Sequence, residues 1–395
     1  MIISEICSIP NYTKKYTMSS DLYDFLAKKY GKFYFINCHY LVDKKKITFN
    51  LKNFKNKKIF FFHPKSYSEL NNFLKKNKIF LINNLSPKFY HLQIHLMLNK
   101  LNIHQVAFDN LGEMSSYKLE NWDAVKIDKK IHFFYLKKIS YIIYRILIFL
   151  KFIKPINKLF IARKDLLKKY RSRSNIFKIF FNTRYVNLHP IKPKFPINKK
   201  KDDIGTKFIV FLDQNVNHKD NTSRGYALKK NKQIEYFRKL QNYLIKLSKL
   251  SKKKPIICLH PSSSYKLYSK HIKNIKIVQF KTDYYILKSF IVIFHDSSSV
   301  TSAFFLNKRI INLKSDILGY YINKRSELYS RKVKLVTHNL NNYEDKINKK
   351  MLNLLKKNIK KQKLFLKKTF FTDDNYKNLN VAISEEINIL TKSNS

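Results

Sequence analysis

The stretch "IVIFHDSSSVTSAFFLNKRIINL", residues 291–313, decides the fold. Strand-forming residues run from Ile291 to Phe294 and stop at His295-Asp296. A turn of hydroxyl side chains follows (Ser297, Ser298, Ser299), and "SVTSAFFLNK" then reads as a helix. A second strand begins at Arg309 in "RIINLK". Strand, turn, helix and strand in so short a span form a βαβ unit, which demands parallel strands joined by a crossover.

Working outward, the same alternation fills the second half of the chain. "TKFIVFLDQN" (206–215) reads as a strand, "NKQIEYFRKLQNYLIKLSKLSKK" (231–253) as a long amphipathic helix, and "KPIICLHPSSS" (254–264) and "IKIVQFK" (275–281) as strands. "YYILKSF" (284–290) reads as a helix. In the first half, strands are expected in "GKFYFINCHYL" (31–41), "KKIFFFHP" (57–64), "KIFLINNL" (78–85) and "IHQVAFDNLG" (103–112). Helices are expected in "KSYSELNNFLKKN" (65–77) and "KFYHLQIHLMLNKLN" (88–102). The expected architecture is α/β, with two Rossmann-like lobes. We place an N-terminal acceptor-side lobe at 1–165 and a basic linker at 166–203, where Pro190, Pro193 and Pro196 oppose regular structure. A nucleotide-sugar lobe follows at 204–340, and a basic helical tail at 341–395.

The chain has 395 residues, 44% of them hydrophobic, which suits two ordinary cores and excludes a disordered chain. Lys and Arg number 80 against 26 Asp and Glu, so the formal charge of +54 attracts phosphates, nucleic acid and anionic lipid. An AT-rich coding bias produces the same Lys, Asn, Ile, Phe and Tyr excess. Cys7, Cys38 and Cys258 fit neither a disulfide framework nor a zinc site, and a reducing cytoplasm is the expected setting. No signal peptide is expected at the N-terminus. Ile139–Leu150 is too short to span a bilayer and contains Arg145. With basic flanks it reads either as an interfacial helix or as a core helix with a snorkelling Arg.

Only five glycines are present, so neither a Walker A loop nor a GxGxxG fingerprint exists; HExxH, a Cys/His zinc set and GxSxG are also missing. Neither a metal nor a cofactor is expected. Ligands of open α/β sheets bind beyond the carboxyl ends of the strands. In the second half that edge carries Gln214 and Asn215, then His260, Pro261 and Ser262, then His295, Asp296, Ser297, Ser298, Ser299 and Thr301. The serines at 297–299 read as phosphate donors at a helix start, or more plainly as an N-cap. His260-Pro261 reads as a phosphate contact or as a strand-end histidine bonded to backbone. Two other His-Pro pairs, His63-Pro64 and His189-Pro190, lie outside this lobe.

A strand ending in His-Pro, followed by a strand ending in a Ser-rich turn and then "FFLNKRIINL", resembles the nucleotide-binding lobe of bacterial GT-B glycosyltransferases. The resemblance is nearest to sialyltransferase-like enzymes of capsule and lipooligosaccharide synthesis that use CMP-activated nonulosonic acids, and it covers roughly residues 207–332. It implies a nucleotide-sugar donor held by His260 and Ser297 to Ser299, and a glycan or lipid-linked acceptor. It also implies a carboxylate base in the first lobe. Asp109 and Glu113, around Gly112, stand nearest to the family's acidic motif, although Asn110-Leu111 replaces its second acid and glycine. The expected location is the inner face of the cell membrane, held there by peripheral contact with anionic lipid. Teichoic-acid-type transferases of a CDP-linked polyol phosphate share the motif pair and are the alternative. A nucleic-acid-binding protein is a third reading, but no RNP-like, helix-turn-helix or finger motif supports it and no nucleic-acid partner is expected.

Overall fold

The computed structural model describes residues 1–8, 11–12, 20–43, 48–49, 58–85, 88–109, 131–164, 167, 184–188, 206–215, 228, 230–261, 263–372 and 377–392. They divide into two compact units: the described residues of 1–111, 132–191 and 370–395 make the first, and those of 112–131 and 192–369 the second.

The first unit is built on a seven-stranded sheet. Its strands are β1 (Ile2–Cys7), β3 (Phe33–Asn37), β5 (Ile59–Phe62), β6 (Ile79–Asn83), β7 (His104–Asp109), β8 (Lys158–Ile161) and β9 (Arg184–Asn187), while β2 (Asn11–Tyr12) and β4 (Thr48–Phe49) pair separately. Every pair in the large sheet is parallel, in the order β5-β3-β1-β6-β7-β8-β9. Helices α1 (Ser20–Tyr30), α2 (His39–Asp43), α3 (Tyr67–Lys76), α4 (Leu92–Lys100) and α5 (Ile131–Phe149) connect or flank the strands. The start of α3 shows why these boundaries fall where they do. Ser66 Oγ accepts from the Glu69 amide at 3.1 Å, and Glu69 Oε2 accepts from the Lys65 amide at 2.7 Å, so one first-turn donor and the amide just before the cap are satisfied.

The second unit carries β10 (Phe208–Leu212), β11 (Lys254–Leu259), β12 (Lys276–Gln279), β13 (Ser289–Phe294), β14 (Arg309–Lys314) and β15 (Val336–Asn339) in the order β12-β11-β10-β13-β14-β15, all parallel. Helices α6 (Gln233–Ser251), α7 (Tyr265–His271), α8 (Thr282–Leu287), α9 (Val300–Phe305), α10 (Tyr320–Val333) and α11 (Lys349–Thr369) belong to it. Central strands such as Ile209–Leu212 and Ile291–Phe294 are buried along their length, as a parallel sheet covered on both faces requires. The long helix α6 presents Tyr236, Phe237, Leu240, Tyr243, Leu244 and Leu247 to that core at helical spacing. Numbered from its first strand, this order is 3-2-1-4-5-6, and the first unit's large sheet begins the same way. Two Rossmann-like units are therefore present, as the sequence led us to expect.

The last helix, α12 (Leu379–Lys392), belongs to the first unit. Its Leu379, Ala382, Ile383 and Ile387 lie in one buried cluster with Ile3, Leu22, Leu26, Phe33 and Phe35. Phe371 N–H donates to the Ala162 carbonyl at 3.1 Å, and Glu386, buried, bonds His104 Nε2 at 3.0 Å and Lys158 Nζ. The residues expected to form one basic tail thus end as two helices in different units. Two further expectations need correction. Regular structure exists inside 166–203, where Arg184–Asn187 forms the edge strand β9, and α7 separates two strands read as consecutive. Pro190, Pro193 and Pro196 lie outside the described residues.

Candidate functional site

In the second sheet the strand order reverses between β10 and β13, so the loops leaving these strands flank the crevice where α/β sheets take ligands. Asp213, directly after β10, organises this edge. Its carboxylate is buried and accepts the Tyr268 hydroxyl at 2.5 Å, the His260 amide at 3.0 Å, the Asn215 amide at 3.0 Å and the Ser263 hydroxyl. Four hydrogen-bond donors compensate the burial of this carboxylate. Asp213 also donates its own N–H to the Cys258 carbonyl at 3.0 Å. It therefore locks the start of the His260 loop to the end of β10. Nothing in the sequence marks Asp213 apart from its neighbours Gln214 and Asn215, because most of its partners lie far along the chain.

The His260 loop is braced from its other side by Gln279, whose Nε2 donates to the carbonyls of His260, Pro261 and Ser263, each at 3.1 Å. Ser264 caps α7, accepting from the Leu267 amide at 3.3 Å. With backbone fixed from both sides, His260 and Pro261 are exposed at the sheet edge. Ser262 lies outside the described residues.

After β13 the arrangement differs. His295 is wholly buried. Its Nδ1 lies 2.6 Å from the Leu313 carbonyl and its Nε2 2.8 Å from the Tyr236 hydroxyl. A carbonyl only accepts, so Nδ1 carries the hydrogen and Nε2 receives the tyrosine proton, which is the neutral tautomer. Burial agrees, lowering its pKa from 6.5 to about 4 against the opposing pull of the Leu313 carbonyl. Both ring nitrogens are engaged inside the protein, so His295 shapes the turn rather than facing a ligand.

The hydroxyl turn begins beyond it. Ser297 and Thr301 are buried, Asp296 and Ser299 half-buried, and Ser298 exposed. Ser299 occupies the N-cap position of α9 without any side-chain cap bond, and Val300, Thr301 and Ser302 N–H groups bond the Ser297, Ser298 and Ser299 carbonyls at 3.2, 3.0 and 3.1 Å. Capping therefore does not account for the serines. With only six residues, α9 supplies little macrodipole, and any anion at this turn depends on hydroxyl and local backbone donors.

Gln214 is half-buried, and Asn215 is buried with a left-handed φ of 57°, a conformation Asn tolerates better than most residues. The β10, β11 and β13 ends thus bring Gln214, Asn215, His260, Pro261 and the 296–299 turn to one edge of one sheet. In the first unit Asp109 ends β7, paired with Ile161 of β8. Glu113 lies outside the described residues.

Two Rossmann-like units of this kind define the GT-B fold class. Among solved structures, the chain is similar to apo UGT2 of Phytolacca americana, with a TM-score of 0.54 and 9% identity over 98% of each chain. It is equally similar to a UDP-glucosyltransferase from Polygonum tinctorium capable of glucosylating indoxyl, with a TM-score of 0.54 and 7% identity over 98% of this chain and 97% of that one. The Phytolacca protein complexed with UDP-2-fluoro-glucose and pterostilbene matches with a TM-score of 0.50 and 9% identity over 98% of each chain. No protein-family model matches the sequence, and no curated protein matches it.

Proposed function

We propose that the protein is a glycosyltransferase that takes a sugar from a nucleotide donor at the carboxyl edge of its second sheet. The observation that carries the reading is the pair of loops at that edge: the His260 turn, fixed by Asp213 and Gln279, and the 296–299 turn, whose hydroxyls the α9 cap does not use. The GT-B fold supports it, and the solved structures named above include a chain complexed with a UDP-sugar analogue.

In this reading His260, Ser298 and Ser299 donate to the donor phosphate, with Gln214 and Asn215 beside them. Asp109 is the base. The acceptor hydroxyl oxygen attacks the anomeric carbon, the bond from that carbon to the phosphate oxygen breaks, and the electron pair leaves with the nucleotide. The acceptor proton passes to the carboxylate. A CMP-linked nonulosonic acid is the proposed donor, and a surface glycan or lipid-linked saccharide at the inner membrane face the proposed acceptor.

Thermal-shift measurements against CMP, CDP, UDP, GDP and dTDP test the site, because a ligand bound only by the native state raises the midpoint. At least one nucleotide should raise it, and His260→Ala or Ser298→Ala should abolish the rise while leaving the unliganded midpoint in place. Absence of any shift overturns the donor site; a shift untouched by both variants moves it elsewhere.

A further inference from the structure

Helix α5 leaves an apolar stripe uncovered. Tyr144 and Ile148 on one side of the helix, with Ile153 just past its end, are buried, and Leu92 packs against them. Tyr144 also donates its hydroxyl to the Lys88 carbonyl at 3.1 Å. On the other side Ile139, Ile142, Ile146, Phe149 and Leu150 are exposed, followed by Phe152. Ile142 and Ile146 are 50% and 51% exposed and Phe149 81%, which is unusual for residues this large. At about 100° per residue the five fall within an arc of about 100°, so they form one continuous ridge along the helix.

The charge of this segment has one sign. Arg145, Lys151 and Lys154 are exposed beside it, and no Asp or Glu occurs between Asp128 and Asp165. No helix among the described residues is long and apolar enough to cross a membrane. A ridge of large aliphatic and aromatic side chains with basic flanks, on a helix too short to span, matches the interface of an anionic bilayer: the apolar side enters the acyl boundary and the cations meet head-group phosphates.

We propose that α5 docks the protein on an anionic lipid surface, with Ile142, Ile146 and Phe149 inserted and Arg145 and Lys151 bound to lipid phosphates. The inference rests on the membrane part of the reading above and names the surface responsible. Its test contains no nucleotide, so its failure and failure of the donor site are separately visible.

The full chain is co-sedimented with vesicles of phosphatidylcholine alone and of phosphatidylcholine with an equal share of phosphatidylglycerol. Binding to the mixed vesicles, and little to the neutral ones, is expected. Ile146→Ser with Phe149→Ser, which keeps every charge, should weaken that binding on the order of tenfold or more. Arg145→Gln with Lys151→Gln should weaken it by about tenfold. Melting midpoints confirm that these exposed substitutions leave the fold intact.

If the serine pair binds mixed vesicles as tightly as the native chain, the general basic surface is responsible and the proposal falls. Equal binding to neutral vesicles removes the role given to the cations. Failure to bind either vesicle also overturns it, as does a dimer in sedimentation velocity that Phe149→Ser dissolves, which would assign the ridge to a second copy of the chain.

Discussion

Asp213 and Tyr268, fifty-five positions apart, meet in a hydrogen bond of 2.5 Å inside the second unit. That contact ties the end of β10 to the helix after β11. Removing the carboxylate with Asp213→Ala should strand several buried donors at once and cost at least about 3 kcal/mol of unfolding free energy. Tyr268→Phe removes one donor only and should cost about 1 kcal/mol. Denaturant titration checks both; equal losses in the two variants would contradict the hub role of Asp213.

Gln279 touches three carbonyls of the His260 turn but sits at the end of the edge strand β12. Gln279→Ala should therefore loosen the turn more than it destabilises the fold. Nucleotide affinity should fall by about tenfold with a midpoint change of only a few degrees, measured by titration calorimetry and thermal melting. Unchanged affinity would show that the His260 turn does not need to be held.

Glu5 lies buried on β1, accepting from Asn84 Nδ2 at 2.7 Å. Burial raises its pKa from 4.5 to about 7, with hydrogen bonds from Tyr23 and Asn84 opposing the rise. The native state holds a proton that the unfolded chain has released, so this group's contribution is complete below about pH 4.5 and is lost as pH rises through about 7. Glu5→Gln keeps an acceptor for Asn84 without the charge. It should be more stable than the native chain at about pH 8, by roughly 3 kcal/mol, and no different at about pH 4. Unfolding curves across that range that stay parallel for the two proteins would refute the assignment.

His295 works in the opposite sense. Its depressed pKa, about 4, means that the contribution is present above 6.5 and is lost as pH falls through about 4. His338, bonded through Nδ1 to the Tyr243 hydroxyl at 2.9 Å, is lowered to about 4 as well, by burial and the nearby Lys346 charge, and acts in the same window. His295→Gln should be less stable than the native chain at neutral pH, by about 1–3 kcal/mol, yet lose less stability on acidification. A variant as acid-sensitive as the native chain would show that some other group controls the acid transition.

The sheets were legible where strands read as unbroken apolar runs, as in Phe208–Leu212 and Ile291–Phe294. They were not legible where the run carried polar residues that only tertiary partners explain. Ser4 and Glu5 interrupt β1, an interior strand of the first sheet, and no composition signal shows that both will be buried. Lys158–Ile161 and Arg184–Asn187 are too short to stand out against basic surroundings. At the candidate site the sequence displayed its hydroxyl and imidazole groups but not their roles. His260 and His295 look alike at two strand ends, and only burial distinguishes a ring open to solvent from one enclosed by Tyr236 and the Leu313 carbonyl.

The return of α12 to the first unit has a consequence for synthesis. A ribosome adds roughly 5–20 residues per second, so the whole second unit emerges before Leu379, and the cluster that α1 and α12 share waits on the order of ten seconds or more for its last helix. Docking of α12 on the first unit's core is thereby deferred until Leu379 and the residues after it have been made. A chain cut between Thr369 and Leu379 would keep every segment of the second unit and lose a helix of the first.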